Sequence, residues 1–297
     1  MDNKVLMKKL LVTGSSGFLG WNLCQVAQES WQVYGVYFSH TTNILGVSSQ
    51  KVDLNNYEEL KRLFAEIKPD AVIHTAAQSQ PNFCQNNPEE SYQVNVAVSW
   101  NIAGLCADYN IPCVFTSTDL VFNGLNAPYK ESDAVSPLSI YGEQKVMAER
   151  GMLERYPQTA VCRMPLMFGY GGPHSQSFIQ PMLNSLRAGN ELGLFIDEFR
   201  TPASATSAAK GLLLAIDKVH GIIHLGGKER ISRYEFMKLL IETLNLKNAK
   251  IFQCRQQDVK MSAPRPADVS LNSSLAFELG YQPLFLSEEF ELLKDKI

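Results

Sequence analysis

A short apolar run, Leu10-Leu11-Val12, leads directly into Thr13-Gly14-Ser15-Ser16-Gly17-Phe18-Leu19-Gly20, and an amphipathic pattern then continues to about Glu29. Glycines at these three positions let a strand turn sharply into a helix, let that helix pack close to the strand, and leave room for another backbone or a phosphate to approach. The first N–H groups of the helix face the turn and carry partial positive charge, so the turn suits a diphosphate. A glycine triplet alone also serves any tight strand-to-helix connection. Its place on the first strand is what makes the dinucleotide reading the stronger of the two.

Further apolar runs of strand length at Val33–Tyr37, Ala71–His74, Cys113–Thr116 and Ala160–Arg163 alternate with helical patterns at Tyr57–Ile67, Pro88–Ala107 and Tyr141–Tyr156. Such alternation predicts repeated βαβ units, and near-continuous apolar strands predict a parallel sheet covered on both faces. The expected fold is therefore α/β, a Rossmann-type doubly wound parallel sheet over residues 1–169. The breaker cluster Tyr170-Gly171-Gly172-Pro173 ends the strict alternation. A smaller C-terminal substrate lobe is expected from 170–203 and 227–297, with helices at Ser177–Ala188 and Ser232–Leu244, the second opened by a Ser232–Glu235 capping box. Between them, Ser207–Asp217 and Gly221–Leu225 read as one helix and one strand, so 204–226 is expected to return to the sheet. Met1–Met7 precedes the pattern and reads as a leader.

The 297 residues are 45% hydrophobic and 19% charged, with 27 basic and 30 acidic side chains spread along the chain, which excludes a long disordered segment and a basic nucleic-acid surface. No run has the length of a membrane span, and the N-terminus lacks the form of a signal peptide. The expected compartment is the cytoplasm and the expected partner a small molecule, with the protein a monomer or homodimer. The cysteines at 24, 84, 106, 113, 162 and 254 have no zinc or redox spacing, so reduced thiols and no metal are expected.

Dinucleotide sites that prefer NAD carry an acid at the end of the second strand. Here the residues are Tyr37-Phe38-Ser39-His40. Without a carboxylate to repel a 2′-phosphate, and with Ser39, His40 and Thr41 as hydrogen-bond donors, the segment favours NADPH, with NADH as the alternative. Asp53, past the third strand, is a candidate for an adenine amino group or for capping the next helix. Tyr141 and Lys145 lie one helical turn apart and share a face. An ammonium beside a phenol is expected to lower the phenol's pKa from about 10 toward working pH and so prepare a proton donor for a carbonyl.

In order along the chain stand Thr13–Gly20, His74-Thr75-Ala76-Ala77, Asn95-Val96, Ser117-Thr118-Asp119-Leu120-Val121-Phe122-Asn123-Gly124, Tyr141-Gly142-Glu143-Gln144-Lys145, Asp197–Pro202 and Arg265-Pro266. This series resembles the extended short-chain dehydrogenase/reductase family, in particular its dTDP-4-dehydrorhamnose reductase-like branch. The resemblance implies that Thr118 hydrogen-bonds the substrate carbonyl, with Ser117 as the fallback, that Tyr141 donates the proton, and that Lys145 anchors the nicotinamide ribose and tunes Tyr141. It implies a cofactor groove of Gly14, Ser16, Gly17, Phe18, Leu19, Ser39, His40, Asp53, Leu54, Thr75, Ala76, Ala77 and Asn95, together with Tyr141 and Lys145. Gln78, Thr118, Asp119, Phe122, Arg200 and Arg265 would face a sugar nucleotide, the arginines suiting its diphosphate. His74 is expected to be a packed residue.

Leu120, Asn123 and Val269 stand where that branch has tyrosine, aspartate and serine, and Asn82 and Gln85 replace carboxylates. These departures fall on the substrate side. The implied activity is reduction of a 4-keto group on a nucleotide-activated deoxysugar. Two alternatives stand beside it: a sugar-nucleotide epimerase, and a dinucleotide-binding regulatory subunit resembling the β subunit of methionine adenosyltransferase, to which Arg163–Gly169 is similar.

Overall fold

The computed structural model describes residues 7–41 and 43–297; residues 1–6 of the expected leader lie outside them. Strand β1 (Lys9–Thr13) is followed by α1 (Phe18–Ala27), β2 (Gln32–Tyr37), β3 (Val47–Lys51), α2 (Tyr57–Ile67) and β4 (Ala71–His74). Helices α3 (Pro81–Asn86), α4 (Pro88–Tyr92) and α5 (Val98–Tyr109) lead to β5 (Cys113–Thr118), α6 (Ile140–Arg155) and β6 (Ala160–Met164). The six strands and a seventh at Gly221–His224 form one sheet. Read across it, the order is Gly221–His224, β6, β5, β4, β1, β2, β3, and every pairing is parallel. This is the Rossmann-type doubly wound architecture the alternation predicts, with the order reversing between β1 and β4.

Buried side chains on the two faces of the sheet build two apolar clusters. Leu10, Val12, Leu23 and Ile73 pack with helix α8 (Ala205–Lys218) on one face, while Leu11, Val72, Phe64, Ile102 and Met152 fill the other. Successive residues of β1 thus point to opposite cores, which is why these strands read as unbroken apolar runs. A third cluster, built on Phe168, Leu183, Phe236, Leu240 and Phe290, binds α7 (Ile179–Arg187) to α9 (Arg233–Thr243) and to the parallel pair Glu191–Phe195 and Lys250–Cys254. The Ser232–Glu235 capping box opens α9.

The helix expected over Pro88–Ala107 differs in detail. A π-helical turn at Gln93–Ala97 separates α4 from α5, and a short helix, α3, precedes them. The turn sets Asn95 inward, where its amide donates to Gln144 Oε1 at 2.9 Å and accepts from Gln78 N–H at 2.8 Å. Periodicity alone carries no sign of such an insertion. Five of the six cysteines are buried, and all six are free thiols. No helix among the described residues is long and apolar enough to cross a membrane.

The junction of β1, α1 and β4 is held at backbone contact. A Cβ at Gly20 would lie 2.1 Å from Gly14 O, and one at Gly14, whose φ is +71°, would lie 2.7 Å from Ala76 Cα. Gly20→Ala is therefore expected to destabilise the protein by at least about 1–3 kcal/mol, the cost of overpacking a filled site. Urea denaturation checks this, and a variant as stable as the parent would show that the helix can shift freely away from the strand.

Candidate active site

The sheet reversal opens a cavity of about 920 Å³ at the carboxyl ends of the strands. Gly14, Ser16, Gly17, Phe18, Leu19 and Gly20 line one part of it, and Ser39, His40, Asp53 and Leu54 another. Thr75, Ala76, Ala77 and Gln78 come from the segment after β4, and Tyr141 and Lys145 from α6. Thr75 Oγ1 donates to Thr13 O at 2.6 Å, which fixes this wall against β1. Gly17 caps α1 without a side chain, and the first turn of the helix holds no acid. The N–H groups at the start of α1 therefore face the cavity unscreened.

Asp53 lines the cavity but does not cap α2; Asn56 does, accepting from Glu59 N–H. The Asp53 carboxylate instead closes a local turn, accepting from Asn55 N–H at 3.0 Å and from the Asn55 amide at 3.1 Å. Asn95 sits behind the wall rather than on it, tying the loop after β4 to α6 through Gln78 and Gln144. His74 is buried between Thr13 Oγ1, at 2.7 Å, and Ser99 Oγ, at 3.1 Å.

Helix α6 starts at a side-chain cap, with Ser139 Oγ accepting from Gly142 N–H. Gly142 fits against Leu120 O, which a Cβ there would approach to 2.4 Å. This contact brings Tyr141 to the end of β5, within hydrogen-bonding reach of Thr118. The rest of the helix is held from below. Glu149 takes hydrogen bonds from Arg163 Nε at 3.1 Å and Arg163 Nη2 at 2.9 Å and one from Ser117 Oγ, all of them buried. Lys145 is buried, its Nζ 4.1 Å from the centre of the Phe115 ring.

These surroundings reverse the sequence-based expectation for Tyr141. Its pKa is pushed up, chiefly by burial and then by the Asp119 and Cys84 charges, with only the Thr118 hydrogen bond acting downward. Lys145 does not offset this, because burial disfavours its own ammonium and lowers it to about 7. Asp119 is raised to about 6 by burial, against the pull of Arg200 and of the Thr118 hydroxyl.

Of the six residues expected to face substrate, Gln78 lines the cavity, and two, Phe122 and Arg200, are taken up by buried internal contacts. Phe122 is fully buried, stacked on Tyr129 at 4.0 Å between ring centres and capped by Arg163 and His224, so it belongs to the core. Arg200 is buried between Asp119, at 3.5 Å, and Glu198, at 3.4 Å. Flanked by two carboxylates, its guanidinium bridges the end of β5 and the segment around Glu198, which Arg233 also reaches at 3.6 Å. Arg265 is partly exposed, reaching Asn82 Oδ1 at 3.2 Å. Gln78 lines the cavity, while Thr118 and Asp119 stand just outside it, Thr118 Oγ1 donating to Asp119 Oδ1 at 3.1 Å.

The sequence reading did not include Met164, Met167, His174 and Ser175 among the lining residues. The methionines could have been found from their position at and just past the end of β6. His174 and Ser175 follow the breaker cluster that marks a segment leaving the sheet.

A parallel sheet that reverses over a glycine turn, with a tyrosine and a lysine on the opposite wall, defines a Rossmann-type protein. The chain belongs to the RmlD substrate binding domain family, which it matches over residues 7–285. It is 27% identical over 287 residues to methionine adenosyltransferase 2 subunit beta of Xenopus laevis, covering 94% of this chain and 84% of that one. It is 28% identical over 289 residues to the probable low-salt glycan biosynthesis reductase Agl14 of Haloferax volcanii, covering 95% and 96%. The crystal structure of dTDP-4-dehydrorhamnose reductase from Bacillus anthracis, in complex with NADP, shares the fold with a TM-score of 0.87 at 20% identity, covering 98% of this chain and all of that one.

The Arg200 bridge yields a pH-dependent expectation. Arg200→Met leaves Asp119 buried without its ion-pair partner, while Glu198 keeps Arg233 at 3.6 Å, at a cost of up to about 3–5 kcal/mol near pH 8. The loss should shrink near pH 5, where Asp119, with its pKa raised to about 6, is protonated and needs no partner. Denaturation at both pH values tests this; equal losses would remove Asp119 from the account.

Proposed function

We propose that this chain is an oxidoreductase that reduces the 4-keto group of a nucleotide-activated deoxysugar, with NADPH as its cofactor. The observation that carries the proposal is the shared cavity, whose walls hold the Gly14–Gly20 turn together with Tyr141 and Lys145. A dinucleotide fits the residues present. Unscreened N–H groups at the start of α1 suit its diphosphate, and the glycines let the turn, the helix and the segment after β4 close up around that position. Ser39 and His40 take the adenosine ribose, with Asp53 and Leu54 beside the adenine, and Thr75, Ala76, Ala77 and Lys145 follow the chain of the cofactor toward Tyr141. When bound, the nicotinamide would supply hydride.

The chain's own residues supply the rest. Tyr141 stays protonated across neutral pH because burial disfavours its phenolate, so it holds the proton that a carbonyl oxygen gains on reduction. Thr118 polarises that oxygen with its hydroxyl, and Gln78 and Arg265 are the remaining candidates for substrate contacts. A charged Lys145, one turn along α6, stabilises the phenolate that Tyr141 leaves behind. The likeness to Agl14, a probable reductase of glycan biosynthesis, and the NADP in the Bacillus anthracis structure support this reading. Neither supplies the sugar. We place the protein in the cytoplasm, where the cofactor is available.

A second reading is favoured by the 27% identity to the methionine adenosyltransferase β subunit across 94% of the chain. In that reading the same cavity holds a dinucleotide in a regulatory partner. The discriminating measurement is oxidation of NADPH by the purified protein with dTDP-linked 4-keto sugars. Absence of turnover, with stable retention of a methionine adenosyltransferase catalytic subunit on a column, would displace the reductase proposal.

Tyr141→Phe is expected to keep NADPH binding and lose at least ~10²-fold in kcat. Near-normal turnover would remove Tyr141 as proton donor. The charge on Lys145 gives a further expectation. Because its pKa is lowered to about 7, the ammonium is present below that pH and lost above it. Turnover should therefore decline above pH 7, and Lys145→Arg, which cannot deprotonate, should flatten that alkaline limb. A limb unchanged in the variant would assign it to another group.

A further inference from the structure

Among the described residues the cavity wall carries one lysine and no arginine, and that lysine, Lys145, lies at the Tyr141 end. The end formed by Ser39 and His40 has imidazoles as its basic groups. His40, from the loop after β2, stacks on His174 with ring centres 5.0 Å apart and planes at 19°. Both rings are exposed and both line the cavity. His174 arrives from a distant part of the chain, on the strap of residues 170–176 that leaves the sheet after β6.

The strap is built to hold that ring in place. Asn22 Nδ2, on α1, donates to Tyr170 O at 3.0 Å, and Tyr170 packs edge-on against Trp21. Gly172 lies against the Trp21 ring, which a Cβ would approach to 2.6 Å. Beyond it, Ser175 N–H donates to Gly172 O, and Gly172 N–H donates to Ser175 Oγ, each at 3.2 Å. At the far end Ser177 Oγ and Gln180 Nε2 both donate to Gly169 O. His174 thus sits in a closed turn anchored on the helix whose N-terminus faces the diphosphate position.

We infer that His40 and His174 form a two-imidazole clamp for the phosphate on the adenosine ribose of NADPH, with Ser39 and Ser175 as neighbouring hydroxyl donors. Stacked rings present their N–H edges in the same direction, so a phosphate seated at the shared edge of the stack can accept from both imidazoles. The clamp selects the phosphorylated cofactor by attraction, where an acid at the end of β2 would select against it. This inference rests on the proposal that the cavity takes a nicotinamide dinucleotide, and it adds the strap as the second half of the specificity site.

The test measures Kd for NADPH and NADH, and for 2′,5′-ADP and ADP, with the full-length protein, His40→Ala, His174→Ala and the double variant. Each single change should weaken NADPH and 2′,5′-ADP about tenfold or more, as expected for loss of a charge-assisted hydrogen bond. NADH and ADP should stay within about twofold, which also shows that each variant keeps its fold. Equal weakening of both cofactors, or an unchanged NADPH to NADH ratio in His174→Ala, overturns the clamp while leaving the dinucleotide site in place. If the unaltered protein binds neither dinucleotide, the cofactor proposal falls and the clamp falls with it.

Discussion

Everything at the candidate site depends on three backbones that touch where β1, α1 and β4 converge. The absence of a Cβ at Gly20 lets α1 start against Gly14, and Gly14 in turn meets the segment after β4. Because β1 and β4 are the strands between which the sheet order reverses, this contact fixes the width of the cavity as well as the aim of the helix. A wider junction would move the N–H groups of α1 away from the wall that carries Thr75 and Ala76. The fold and the geometry of the glycine turn are thus one packing problem with one solution.

The opposite wall is set by charge. Tyr141 and Lys145 lie on the face of α6 toward the cavity, and Glu149, one turn further along, is tied to β5 through Ser117 and to β6 through Arg163. The helix is therefore pinned to two strands by a buried polar group whose hydrogen bonds are satisfied, as such groups must be inside a protein. Above that anchor the interior is kept short of compensation. Lys145 faces the Phe115 ring, and its ammonium is correspondingly easy to discharge.

The α/β class, the strand sequence and the glycine turn were legible because each rests on local pattern: apolar runs, periodicity and spacing. The capping box at Ser232 was legible for the same reason. What the sequence hid arises from contacts between distant segments. The motif Phe122 sits in carries no sign that its ring turns inward onto Tyr129, and an arginine in a loop reads as a phosphate ligand until Glu198 and Asp119 are seen on either side of it. The spacing of Tyr141 and Lys145 correctly puts them on one face but says nothing of burial, which reverses the direction of the tyrosine's shift. The π-helical turn at Gln93–Ala97 and the stacking of His174 on His40 are likewise invisible to periodicity.

Asp119 occupies two positions at once. It is the residue after Thr118, close enough to influence Tyr141, and it is the ion-pair partner of Arg200 in the segment that follows β6 and α7. Exchanging residues 197–202 for those of a relative would therefore also change the charge beside Tyr141. For anyone redesigning this scaffold, recognition and acid strength are not separable modules: a graft at Arg200 carries a second substitution, at position 119, as its necessary companion.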